Sequence, residues 1–120
     1  MAKGDDLEER LIDFAVRIVR VCAALPKEPV ARHIRDQLLR CGTSPAPNYA
    51  EARSAESQRD FVHKLKVVLK ELNETRVWLK IIVRSELMSA NLMEPILDEC
   101  EQLCRVIGKS ITTSQAKAGD

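Results

Sequence analysis

Phe61, Leu65, Val68, Leu72, Thr75, Leu79 and Ile82 recur at alternating spacings of four and three residues without interruption. Such a series falls on one face of an α-helix and on no face of a strand. The stretch is about 27 residues, hence roughly 40 Å at 1.5 Å per residue. A helix that long sets the height of whatever packs on it, and its apolar stripe must be covered by other elements. Ser57, with Asp60 three residues on, reads as its N-cap.

Three further stripes are available to cover it. Leu7, Leu11, Phe14, Ile18, Cys22 and Leu25 repeat the pattern, with Asp5 or Asp6 as a cap and Glu8 and Glu9 suited to the positive end of the helix dipole. Val30, Ile34, Leu38, Cys41, Pro45, Tyr49 and Ala52 carry it through GTSPAP, where Gly42, Pro45 and Pro47 each weaken a helix. The phase of the stripe survives the prolines, so a kinked helix, or two abutting helices on one axis, is expected rather than a loop. Leu92, Ile96, Cys100, Leu103 and Ile107 form the last stripe, widened by Cys104 and Ile111, with Pro95 placed in the first turn. No strand pattern is present. The expectation is one all-α domain, an antiparallel up-down-up-down four-helix bundle with helices at about 6–25, 29–55, 58–87 and 90–111. Helix two is kinked near Pro45/Pro47, and the tail 112–120 is disordered.

Composition narrows the function. The 120 residues are 45% hydrophobic and 31% charged, a globular balance with room for one core. The N-terminus MAKGDDLEER is polar and acidic, and no apolar run approaches the roughly 20 residues of a membrane span, so a cytoplasmic protein with no membrane partner is expected. Aromatics are 3%, too few for a platform that stacks single-stranded bases. Cys22, Cys41, Cys100 and Cys104 contain no C-x-x-C pair. Each lies on an apolar stripe and reads as a small buried residue in a reducing compartment, although Cys100 and Cys104, one turn apart, could hold a metal with help from elsewhere. No Gly-rich phosphate loop and no Ser/His/Asp set appears, so neither catalysis nor a cofactor is expected.

A polar line runs beside the core of helix two: Gln37, Arg40, Ser44, Asn48 and Glu51. The long helix has a matching line with Glu71, Glu74 and Trp78. If the two helices turn near residues 54–57, Arg40 lies opposite Glu71 and Gln37 opposite Glu74. A partly buried ion pair between Arg40 and Glu71 or Glu74 follows. The same line could instead do acid–base or metal work. However, Glu71-x-x-Glu74 lacks the histidine of the di-metal Glu-x-x-His motif. His33 falls near Trp78 and His63 on the polar side.

QLLRCGTSPAPNYAEAR followed by FVHKLKVVLKELNETRVWLKII resembles the four helix bundle protein family. This is the group that includes proteins encoded in intervening sequences of bacterial 23S ribosomal RNA genes. The resemblance covers about residues 7–111 and rests on Gln37, Leu38, Leu39, Arg40, Gly42, Thr43, Ser44, Asn48, Tyr49, Glu51 and Ala52, then Lys70, Glu71, Glu74, Thr75, Trp78 and Leu79. Two prolines, Pro45 and Pro47, depart from the usual one or none. The resemblance implies an up-down bundle, a homopentameric ring and no established activity. It also implies kinship to the accessory proteins of diversity-generating retroelements, which bind a reverse transcriptase and nucleic acid.

Two functional expectations follow. Between Arg59 and Arg84 there are seven basic and three acidic residues, a net +4. Arg59, Lys66, Lys70, Lys80 and Arg84, with His63, fall near one face opposite the core stripe. They are candidate contacts for RNA or DNA, weak because the whole chain is only +1. The alternative is a protein–protein assembly module without nucleic-acid binding. The fourth helix is acidic (Glu86, Glu94, Asp98, Glu99 and Glu101 against Arg105 and Lys109), so acidic and basic faces of separate copies could meet head-to-tail. Ile12, Val62, Val77, Val83 and Leu87 lie off the main stripes as candidate subunit contacts.

Overall fold

The computed structural model describes residues 4–118, and all regular structure among them is helical. The elements are α1 (Asp5–Ala24), α2 (Pro29–Thr43), α3 (Pro45–Arg53), α4 (Gln58–Arg84) and α5 (Ala90–Ala118). Helices α2 and α3 together occupy the place of one long helix. Ser44, between them, keeps helical φ and ψ of −71° and −38°, and the Asn48 amide still bonds the Ser44 carbonyl at 3.1 Å. Pro45 and Pro47 withhold two amide donors, so the ladder breaks while the axis continues without a loop.

The long axis of the molecule, 48 Å, reflects α4 and α5. Helix α4 packs on α5, α3 and α2, while α1 packs mainly on α2 and α3. Contacts run in opposite order along successive helices: Ile18 meets Gly42 while Cys22 meets Arg35, and Gln58 meets Ser114 while Leu72 meets Cys100. One core of buried apolar side chains, from Leu11 and Phe14 through Leu65, Leu72 and Leu79 to Leu103 and Ile107, joins the elements. At Gly42 α2 lies close against α1, since a Cβ there would come within 2.7 Å of Ile18 Cγ2.

Caps fix the element ends. Ser57 Oγ accepts the Asp60 amide at 3.0 Å, the N-cap read from the sequence. At the other end of α4, Glu86 adopts a left-handed φ of 59°. The Leu87 amide bonds the Ile82 carbonyl and the Glu86 amide bonds Val83, the paired bonds of a Schellman stop. The helix therefore ends at Arg84, short of residue 87. Helix α1 begins at Gly4, with φ of 98°, rather than at a capping aspartate, and Asp5 and Asp6 lie in its first turn.

Several expectations are corrected. The segment 112–118 is helical, not disordered, because Ile111 and Ser114 prolong the α5 stripe onto the start of α4; residues 119 and 120 lie outside those described. Pro95 is the sixth residue of α5 and so inside the helix, past the first turn. Val30 and Leu92, assigned to the core, are 69% and 70% exposed; Ala31 and Met93 are buried beside them. Val62, expected outside, is buried. No helix among the described residues is long and apolar enough to cross a membrane.

Candidate nucleic-acid interface

The core stripe of α4 turns Leu65, Val68, Leu72, Leu79 and Ile82 inward. At 100° per residue, the opposite surface then carries Arg59, His63, Lys66, Lys70, Val77 and Arg84, with Lys80 at its edge. Arg59, His63, Lys66, Lys70 and Arg84 are exposed and Lys80 is half-buried. From Lys66 to Arg84 the row extends roughly 27 Å along the axis. Glu74 is the acid at the other edge of this face, and it is held by Arg40 and by Trp78. Among the described residues, Lys66, Lys70, Lys80 and Arg84 have no ion-pair partner, whereas Arg10, Arg40 and Arg53 each meet at least one carboxylate.

The acids of α4 are occupied elsewhere. Arg40 of α2 donates to Glu71 Oε2 at 3.2 Å and pairs with Glu74, while Gln37 Oε1 accepts a further bond at 3.3 Å. Trp78 Nε1 donates to the same Glu74 oxygen at 3.1 Å, and His33 sets its ring edgewise on Trp78 at 6.0 Å. The brace is one-sided in burial: the Arg40 side chain is 51% exposed, that of Glu71 only 15%. Desolvation would lower the Arg40 pKa, but Glu74 and Glu71 outweigh it and the guanidinium is held above its ordinary value. Ser44 and Asn48 bond each other, Asn48 Nδ2 donating to the Ser44 carbonyl and to its hydroxyl, and Glu51 is exposed at the end of the line. This line ties α2 to α4. Among the described residues, no three His, Cys, Asp or Glu side chains converge as a metal site.

Two ion-pair groups join helices that are not adjacent in sequence. Arg53 of α3 meets Asp5 at 2.6 Å and Glu8 at 3.1 Å of α1, and Arg10 of α1 clasps Glu99 of α5 with two bonds of 2.8 Å and Gln102 at 3.0 Å. Sequence reasoning missed both; the acid-rich first turn of α1 was the only signal. Beside Arg53 opens a groove of about 850 Å³ lined by Tyr49, Phe61, Lys109 and Ser114 among others.

An apolar surface lies on the far side of the bundle. Ile12, Val16 and Val19 of α1 form an exposed stripe at spacings of four and three. The register that sets Ile18 on Gly42 and Cys22 on Arg35 brings exposed Leu39 of α2 to its flank. Of the subunit contacts read from the sequence, Ile12 and Val77 are exposed, while Val83 and Leu87 pack partly on the core.

The profile of a family described as 23S rRNA-intervening sequence protein matches residues 6–109. Among solved structures, the chain is similar to a protein of Bacteroides thetaiotaomicron described as having unknown function and coming from the S23 ribosomal protein family. The two are 35% identical, the match covers 87% of this chain and 96% of that one, and the TM-score is 0.82. No curated protein matches the chain.

Proposed function

The chain belongs to the 23S rRNA-intervening sequence protein family, and on that footing we propose a non-catalytic, self-associating bundle that offers the outward face of α4 to nucleic-acid phosphates. The observation that carries this is the row Lys66, Lys70, Lys80 and Arg84, cationic and without a carboxylate partner among the described residues. A lysine ammonium needs only a point anion, so the row recognises phosphate without reading bases. One subunit supplies few contacts. A homopentameric ring, as the resemblance implies, multiplies them through effective concentration.

The test is a titration with a structured RNA from about 50 to 300 mM salt, with the protein's mass followed throughout. Each phosphate contact adds roughly 0.7–0.9 to the slope of log K against log salt. Binding that weakens steeply with salt and disappears when Lys66, Lys70, Lys80 and Arg84 become Gln supports the proposal. An intact oligomer that binds nothing at the lowest salt removes it.

A second reading, assembly alone, is favoured by the exposed stripe Ile12, Val16 and Val19 with Leu39. Apolar side chains grouped on one surface are what a partner protein covers. Val16→Glu would then reduce the mass in sedimentation to that of a single chain and leave helicity in place. Unchanged mass would remove this stripe as the contact.

A further inference from the structure

The groove beside Arg53 lies where the start of α1, the turn from α3 into α4 and the last turns of α5 meet. Val106, Lys109, Ser110, Thr113, Ser114 and Lys117 line it from α5, at spacings that repeat one helix face. Two hydroxyls in its wall bond nothing in the protein. Tyr49 is 6% exposed and Ser114 7%, yet neither hydroxyl has a hydrogen-bond partner among the described residues; only the Ser114 carbonyl is used, by Gln58. Among the described residues, no enclosed side-chain nitrogen or oxygen is without a hydrogen bond. Each of the two hydroxyls therefore keeps part of the small surface that its residue still exposes, and both residues line the groove. Buried polar side chains are ordinarily paired, so two unmatched hydroxyls in one concavity point to an acceptor supplied from outside. Burial pushes the Tyr49 hydroxyl above its ordinary value, with Arg53 opposing, so it remains a donor at neutral pH. Gly4 leaves this end of the groove open, because a Cβ there would come within 2.8 Å of Tyr49 Oη and 3.2 Å of Arg53 Nε.

The charge in the groove is mainly positive. Arg53 is engaged by Asp5 and Glu8. Lys109 and Lys117, about 12 Å apart along α5, meet no carboxylate among the described residues. Glu56 is the acid in the lining. Ala52 is buried and Phe61 and Val106 are half-buried, which gives the groove an apolar floor. Its volume, about 850 Å³, falls within the roughly 300–1,000 Å³ of small-molecule sites.

We propose that this groove binds a small organic anion, an apolar body carrying one carboxylate or phosphate. The oxyanion accepts from the Tyr49 and Ser114 hydroxyls and is neutralised by Lys109 or Lys117, while the apolar body lies on Phe61 and Val106. Arg53, already held by two carboxylates, braces the end of the groove next to Tyr49. The site takes nothing from the outward face of α4 and does not depend on nucleic-acid binding.

The experiment titrates the whole folded, isotope-labelled chain with phenylbutyrate, phenyl phosphate and, as the uncharged control, phenylbutanol, following backbone amide signals by NMR. Saturable shifts at Tyr49, Phe61, Ser110 and Ser114 are expected with an anion, the tighter of the two naming the anionic group, and no saturation with the alcohol. Tyr49→Phe keeps the ring and removes only a hydroxyl without a partner. It should therefore leave Tm unchanged and weaken binding about tenfold, as the loss of one charge-assisted hydrogen bond does. Ser114→Ala should do the same. Lys109→Gln with Lys117→Gln weakens binding further and removes its salt dependence, whereas replacing Lys66, Lys70, Lys80 and Arg84 by Gln leaves it unchanged. Absence of groove shifts with both anions at millimolar concentration, equal binding of the alcohol, or shifts confined to the exposed Ile12, Val16 and Val19 each overturns the proposal. So does full-strength binding by both Tyr49→Phe and Ser114→Ala, or a lowered Tm in both, which would make the hydroxyls structural.

Discussion

Helices α2 and α4 both carry conspicuous basic residues, yet they use them in opposite ways. On α2, Arg35 donates to the Cys22 carbonyl at 3.2 Å and the Pro26 carbonyl at 2.6 Å, and Arg40 is held by Glu71 and Glu74. Both cations are spent inside the molecule. On α4, Lys66, Lys70, Lys80 and Arg84 have no carboxylate partner among the described residues. Positive charge is therefore structural at Arg35 and Arg40 of α2 and available at Lys66, Lys70, Lys80 and Arg84 of α4, a distinction that net charge hides.

The widest separation between the two helices comes from changing α4. Replacing its four cations by Gln is expected to abolish measurable RNA binding at moderate salt. The salt slope should fall by roughly 0.7–0.9 for each phosphate that is no longer neutralised. Thermal stability should move by no more than the roughly 0.5 kcal/mol of ordinary surface substitutions. A large drop in stability would mean that these cations, too, are structural. The next effect belongs to α2. Gly42→Ala places a methyl 2.7 Å from Ile18 Cγ2, a branched side chain buried on all sides. The helix-propensity gain of about 1 kcal/mol is opposed by overpacking of about 1–3 kcal/mol. Urea denaturation should show a net loss and RNA binding should be unchanged.

Arg35→Leu follows. The last turn of α1 has no basic residue of its own, and Arg35 supplies one from across the seam. Losing charge-assisted bonds to two carbonyls is expected to cost about 1–2 kcal/mol in the same urea experiment. A smaller, pH-dependent effect sits beside it. Burial, only partly offset by Arg35, pushes the Cys22 thiol up to about 11. The unfolded thiol loses its proton near pH 8.5, so between that pH and about 11 the folded state holds more protons and stability falls as pH rises. Cys22→Ala should flatten that stretch of a stability–pH curve, and an unchanged slope would assign the alkaline loss to other groups.

How much of this the sequence disclosed depends on whether a feature is local. The stripe from Leu65 to Ile82 is buried throughout because a helix converts spacing directly into a face. Arg40 against Glu71 was also legible, since α3 runs into α4 through a short turn that sets which residues face each other. Arg10 with Glu99 and Arg53 with Asp5 were not, because those pairs depend on how helices distant in sequence pack. Misjudgements gathered at helix ends: Val30 and Leu92 overhang the core in the first turns of α2 and α5, and their neighbours Ala31 and Met93 turn inward instead. The polar segment after Ile111 gave little periodicity, yet Ser114 is buried and its carbonyl lies 3.5 Å from Gln58 Nε2. The basic residues of α4 could be counted from the sequence; that Lys66, Lys70, Lys80 and Arg84 meet no carboxylate among the described residues required the structure.

The smallest expected effect probes the α2 brace itself. Arg40 is half exposed, and an exposed guanidinium paired with carboxylates contributes little once salt screens it. Arg40→Gln should lower Tm slightly at low salt, and the difference should shrink as salt is added. Glu71→Gln in the Arg40→Gln background should then cost less than it does alone, because the two groups share one interaction. The effects would be simply additive if Arg40 and Glu71 acted independently, and the contrast between the helices would then rest on Arg35 alone. Coupling that persists at high salt would instead mark Glu71, the more buried partner, as the group that sets how α2 and α4 align.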